Sequence, residues 1–144
     1  MFITGITDRG ATPAIVATLA YAEGRQKVIA ENVANWNNPD YTTKRLDPRA
    51  FQRALGKALE DRGGDVNKPF RVASTEQFRM GRGGALQLTP TAEPAENILF
   101  HDGTNMSIER QMADLAENAM THELATTLLR GRYEGLRKAI RGRF

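Results

Sequence analysis

The side chains able to do chemistry are few and poorly spaced for it. His101 and His122, the only histidines, stand far apart in the chain without an H-E-x-x-H arrangement, and no cysteine is present to complete a thiolate shell. Ser74 and Ser107, the only serines, lie outside any G-x-S-x-G elbow, so neither is presented on a strained strand-to-helix turn. Met80-Gly81-Arg82-Gly83-Gly84 clusters glycines but lacks both the P-loop spacing and the Lys-Ser/Thr pair that grips a phosphate and its magnesium. The carboxylates form no pair with a context for glycoside chemistry. The expectation is a protein that is not an enzyme: no catalytic, metal or cofactor-binding residue, no cofactor, no small-molecule substrate.

Charge points the same way. Twenty Lys+Arg against 17 Asp+Glu give +3, too small an excess for a dedicated nucleic-acid protein. Two triplets, Arg62-Gly63-Gly64 and Arg82-Gly83-Gly84, would suit phosphate neutralisation, but no aromatic cluster accompanies them as a stacking platform. The excess is local: Arg130, Arg132, Arg137, Lys138, Arg141 and Arg143 face a single acid, Glu134, in the last 15 residues. Such a tail complements the negative end of a helix macrodipole, or forms a docking surface for an acidic or anionic partner.

With 144 residues, 40% of them apolar, the chain suffices for one modest domain or a few long helices with a connector. Ile15, Leu19, Ala22, Gln26, Ile29, Val33 and Trp36 recur at alternating steps of four and three, a heptad seam broken only by Gln26. Thr12 is suited to N-cap this helix, Pro13 to its first position, and Asn35 to Asp40 to the turn that ends it. A second seam runs through Ile108, Met112, Leu115, Ala119, His122, Thr126, Leu129, Tyr133, Leu136 and Ile140, with Asn105 or Ser107 as cap. About 34 residues at 1.5 Å each give a helix of about 51 Å, longer than a domain of this size needs to cover its own core. On these positions His122 is an interface residue rather than a base.

Residues 37–105 hold five of the six prolines and resist long regular structure. Phe51, Ala54, Leu55, Ala58 and Leu59 allow a short amphipathic helix, Phe70-Arg71-Val72 a brief strand, and residues 85–89 another. The predicted fold is mainly α: two long terminal heptad helices (12–36 and 106–141) forming a coiled-coil hairpin around an irregular, partly disordered or small β-containing middle (37–105). The seams leave part of the longer helix without an intramolecular partner, which asks for other subunits. Ala14 to Ala22 imitates a secretory signal, yet Asp8 cancels Arg9, Pro13 stands at the entrance, and the apolar spacing continues past the cleavage-like Ala20-Tyr21-Ala22. The expectation is therefore export, if any, without cleavage.

One stretch carries a resemblance. Ala30-Glu31-Asn32-Val33-Ala34-Asn35-Trp36-Asn37-Asn38-Pro39-Asp40-Tyr41 resembles the N-(I/V)-A-N-x-x-T-P-G-Y signature of bacterial flagellar basal-body rod and hook proteins, matching it at Asn32, Ala34, Asn35, Pro39 and Tyr41. Asn38 and Asp40 stand where the signature has Thr and Gly, and Asp tolerates a type I turn there. Residues 102–119 and 136–140 are similar to the C-terminal helix of the family's small proximal-rod members, so the likeness covers about residues 12–45 and 98–141. It implies a structural subunit whose terminal helices pair through Ile15, Leu19, Ile29, Val33, Ile108, Met112, Leu115, Leu129, Leu136 and Ile140 and pack against neighbours in the rod. It also implies export through the flagellar type III apparatus without a cleaved signal, a place in the periplasmic basal body, and contacts with other rod subunits, the basal adaptor and the membrane-supramembrane ring. The competing readings are a helical adaptor or chaperone-like binding module and an RGG-type nucleic-acid binder.

Overall fold

A computed structural model describes residues 10–38, 40–65, 68–81, 84–93 and 108–142. The fold is mainly helical. Its elements in chain order are α1 (Thr12–Ala34), β1 (Lys44–Arg45), α2 (Pro48–Arg62), β2 (Phe78–Met80), β3 (Leu86–Leu88), β4 (Thr91–Ala92) and α3 (Ile108–Arg141). The proposed caps Asn105 and Ser107 of α3 lie outside the described residues.

Helix α1 begins one residue earlier than its sequence suggests. Ala11 occupies the N-cap without a side-chain bond, Thr12 is already helical and Pro13 falls in the first turn, where its missing N–H leaves no bond unmade. The helix stops at Asn35, whose N–H reaches back to Glu31 O and Asn32 O, and a turn follows in which Tyr41 N–H donates to Asn38 O at 3.1 Å. Asp40 N–H is held by Asn38 Oδ1 at 3.2 Å, and among the described residues only glycines have positive φ, so Asp in place of Gly here costs no left-handed strain. Helix α2 has complete punctuation: Asp47 caps it by accepting from Arg49 N–H at 2.9 Å, Pro48 opens it, and Gly63 closes it at φ 58°.

The strands form two small antiparallel ribbons. β1 pairs with β4 (Lys44 opposite Ala92) and β2 with β3 (Phe78 opposite Leu88). Gln77 ties the ribbons together, accepting from Asp47 N–H at 2.9 Å and donating to Thr91 Oγ1 at 2.6 Å and Arg45 O at 3.2 Å. The brief strand expected at Phe70-Arg71-Val72 is not formed; Val72 is buried there in irregular backbone, spending its apolar side chain on the core rather than on a ladder.

The core lies between α1 and the middle segment. Tyr21 of α1 stacks on Phe51 of α2 with centroids 4.1 Å apart and planes 6° from parallel, and Phe78 of β2 meets Phe51 edge-on at 5.8 Å. Ala17, Val28, Leu46, Ala58 and Val72 complete this cluster. The close approach of the β2–β3 ribbon to α1 depends on Gly24, where a Cβ would stand 2.1 Å from Leu88 Cδ1. Gly24→Val is expected to cost about 1–3 kcal/mol by overpacking, whereas Gly56→Ala, in open space on α2, should gain about 0.5–1 kcal/mol. Urea midpoints of the two variants check the contrast.

Candidate functional site: an assembly interface

Helices α1 and α3 run side by side in opposite directions, and their contact is unusually polar. The buried residues of α3 are Gln111, Asn118 and Ala125, spaced seven apart. Asn118 Nδ2 donates to Ala22 O at 2.9 Å and to Gln26 Oε1 at 3.1 Å. Arg25, buried on α1, bonds Asp114 Oδ1 at 2.8 Å and Glu117 Oε2 at 2.9 Å. A buried guanidinium without these carboxylates would be an uncompensated charge, so the pairs fix the register of the two helices as well as neutralising it.

Near the end of α1 the motif residues gather. Asn32 is 1% exposed and uses its whole amide. Its Nδ2 donates to Lys44 O at 2.8 Å and to Gln111 Oε1 at 3.3 Å, while Oδ1 accepts from Lys44 N–H at 3.1 Å and from the Tyr41 hydroxyl at 3.0 Å. One side chain thus joins α1, the returning loop, β1 and α3. Asn35 donates to Glu31 O at 2.8 Å, Ala34 is exposed in the last helical position, and Pro39 lies outside the described residues.

The structure places the other sequence-derived interface positions variously. Ile29 is buried; Ile15, Leu19, Val33, Ile108, Leu115, Leu129 and Leu136 are half-buried; Met112 and Ile140 are exposed. The polar members of the contact, Arg25, Gln111 and Asn118, were missed because each stands one residue before a position of the apolar seam, Gln26, Met112 and Ala119. The available signal was the seven-residue spacing of Gln111 and Asn118 on α3.

Elsewhere the polar groups are occupied in holding the fold. Arg62 of the first Arg-Gly-Gly triplet is buried and donates to Gly10 O at 2.9 Å and Asp65 O at 3.2 Å, and Gly63 is the α2 terminator. Arg82 and Gly83 of the second triplet, and His101, lie outside the described residues. An open groove beside Asp47, Thr75, Gln77 and Thr91 is lined by the hydrogen bonds that tie the two ribbons. Among the described residues no helix is long and apolar enough to cross a membrane, and no group of three or more side chains is arranged to hold a metal ion.

Tyr21 carries the one buried side-chain polar atom without a hydrogen-bond partner among the described residues, its hydroxyl. Burial pushes the phenol far above its ordinary value, with Arg25 the main opposing influence; Tyr41 is raised too, by burial and then by Glu31. A raised folded-state value means stability that is complete below the unfolded phenol's value and is lost as pH climbs past about 10. Tyr21→Phe is therefore expected to match or exceed the wild type at pH 7, by up to about 1 kcal/mol, and to lose less stability between pH 9 and 11. Denaturant midpoints at pH 7, 9 and 11 decide this.

Comparison with known proteins finds similarity to flagellar basal body rod proteins. A flagellar basal body rod protein FlgB of Cereibacter sphaeroides is 26% identical over 144 residues, covering 97% of this chain and 99% of the relative. The chain resembles flagellar basal-body rod proteins. FlgB of Escherichia coli strain K12 is 28% identical over 116 residues, with 78% of this chain and 79% of the relative covered, and FlgB of Bacillus subtilis strain 168 is 20% identical over 124 residues, with 86% and 88% covered. No protein-family model matches the chain. The rod-type resemblance thus extends beyond the motif to the full length, the middle segment included.

Proposed function

We propose that this chain is a structural, non-catalytic subunit of the bacterial flagellar basal-body rod, built into the drive shaft that transmits rotation. The observation that carries the reading is the end-to-end similarity to rod proteins, 97% of this chain against 99% of a relative. The burial of Asn32 at the junction of three elements, where it accepts from the half-buried Tyr41 hydroxyl, supports it by giving these two signature residues a structural role. In this reading the terminal helices form a coiled-coil hairpin, the segments 12–36, 37–105 and 106–141 act as helix, middle unit and helix, and subunits polymerise through the helix surfaces.

Ile15, Leu19, Ile29, Val33, Ile108, Leu115, Leu129 and Leu136 serve the packing of the paired helices, while the exposed Met112 and Ile140 serve neighbours. Partners are other rod subunits, the basal adaptor, the membrane-supramembrane ring and the flagellar type III export apparatus, with the rod lying in the periplasm. Export proceeds without cleavage, since removal of residues up to Ala22 would take half of α1 and the Tyr21 stack. Mass spectrometry of purified basal bodies tests this: the tryptic peptide from Gly10 to Arg25 is expected intact, and a mature terminus at Glu23 would contradict the reading.

A further inference from the structure

The contact between α1 and α3 repeats every seven residues. Asn32 and Arg25 stand one heptad apart on α1, Gln111 and Asn118 one heptad apart on α3. Asn32 meets Gln111 at 3.3 Å, and Asn118 lies across from the turn of Ala22 to Gln26. The next step brings the buried Ala125 opposite residues 17 and 18, and one step further Arg132 lies beside Gly10.

Such a repeat allows α3 more than one seat. A slide by one heptad is about 10.5 Å, and the 14 residues between Glu93 and Ile108 are chain enough to span it. If later residues are brought up, Asn118 replaces Gln111 opposite Asn32, so an amide still answers an amide. Ala14, Ala17, Thr18 and Ala22 on α1, with Thr121 and Ala125 on α3, are too small to interlock by shape. The contact of Arg110 with Glu93, 3.6 Å long and on a 40%-exposed side chain, holds less firmly than either bond of Arg25.

Arg25 is the residue that does not tolerate the slide. Its side chain is 8% exposed and bonds Asp114 and Glu117, three apart on α3. One heptad on, the same places hold Thr121 and Leu124, and the guanidinium would be buried without a carboxylate. One heptad back, the place of Glu117 is taken by Arg110, a like charge.

We infer that Arg25 selects which heptad of α3 seats on α1 by requiring the acid pair Asp114-x-x-Glu117, and that the seat moves when the acid pair is moved. Arg25 is thus a positioning residue for the long helix, while Asn32, Gln111 and Asn118 tighten a register already chosen. Stability and register are separable, because replacing a whole buried charge cluster with uncharged groups can leave stability unchanged or raised. The inference goes beyond the rod reading and is independent of it, since every contact lies within one chain.

The chain has no cysteine, so Lys27→Cys with Glu134→Cys, both exposed, carries two spin labels at known places. Labelled chain diluted with unlabelled chain reports distances within one copy by double electron–electron resonance, and the slide brings position 134 about 10.5 Å nearer to position 27 along the helix axes. The otherwise native chain, and Arg25→Lys, which still needs a carboxylate, should each show one distance. Arg25→Met with Asp114→Leu and Glu117→Gln should melt cooperatively yet show a second, shorter distance in comparable amount. Asp114→Leu and Glu117→Gln with Thr121→Asp and Leu124→Glu moves the acid pair by one heptad and should make the shorter distance the main one. The native distance alone in this folded variant would overturn the inference. So would a lower melting temperature with a single native distance in the uncharged variant, which decides by itself if the moved-pair chain does not fold.

Discussion

Replacing Asn32 with alanine is expected to destabilise the folded chain by about 2–4 kcal/mol, a large share of the 5–15 kcal/mol that holds a typical domain. The loss exceeds that of an ordinary hydrogen bond because the amide is buried and four groups depend on it: Lys44 N–H, Lys44 C=O, the Tyr41 hydroxyl and Gln111. Alanine takes a partner from all four, and for the buried Gln111 and the Lys44 backbone the loss falls in a site with little access for water. Asn32→Asp should fare no better, since it keeps the acceptor for Lys44 N–H but turns an acceptor toward Lys44 O and Gln111 Oε1, burying a carboxylate. Asn37→Ala, exposed in the next turn, should change stability by under about 0.5 kcal/mol. Urea unfolding of the three variants checks the order.

Phe51→Ala is expected to cost about 3–5 kcal/mol. Phe51 is 3% exposed and is the middle ring of three, stacked on Tyr21 and edge-on to Phe78, so its removal opens a cavity shared by α1, α2 and the β2–β3 ribbon. Repair by collapse is limited because the backbones of the three elements are already fixed by Gln77 and by the contact of Leu88 at Gly24. Near-ultraviolet circular dichroism should lose the aromatic signal while much of the far-ultraviolet helix signal remains in α1 and α3. A melting temperature within a degree of the wild type would contradict the placement of the core.

These two residues also show what the sequence made legible. Helix α1 announced itself through Pro13 and the run from Asn35 to Asp40, and α3 through repeated apolar steps, because periodicity and caps are local properties. The middle segment was harder to read. Its order depends on β1 meeting β4 across 45 intervening positions and on Gln77 bridging two ribbons, and pairings of that separation leave no local trace. The short helix α2 was visible in Phe51 to Leu59, but nothing in the spacing tells that Phe51 stacks on Tyr21. On α1 the apolar count favoured one seam, whereas the helix has two neighbours, α3 on one flank and the middle segment on the other, so Ala14, Ala17, Tyr21, Val28 and Asn32 are buried together with Ile29. Asn32 itself was visible through its motif, although its four bonds were not. The polar contact of Arg25, Asp114, Glu117 and Asn118 stayed hidden, since charged and amide side chains are recognised as buried only when their partners are known.

The apolar residues left open on α3, Met120 and Leu124 among them, fit a helix that is covered by more than its own chain. Their exposure links the fold to the proposed role of a subunit packed among others.

The central claim, that the chain is a structural subunit of the flagellar rod, is tested most directly by deleting its gene and purifying basal bodies from the deleted and complemented strains. The account predicts that deleted cells do not swim and yield no assembled rod, and that the wild-type gene restores both, with the chain recovered in the basal bodies. Normal swimming and complete rods in the deleted strain would contradict it.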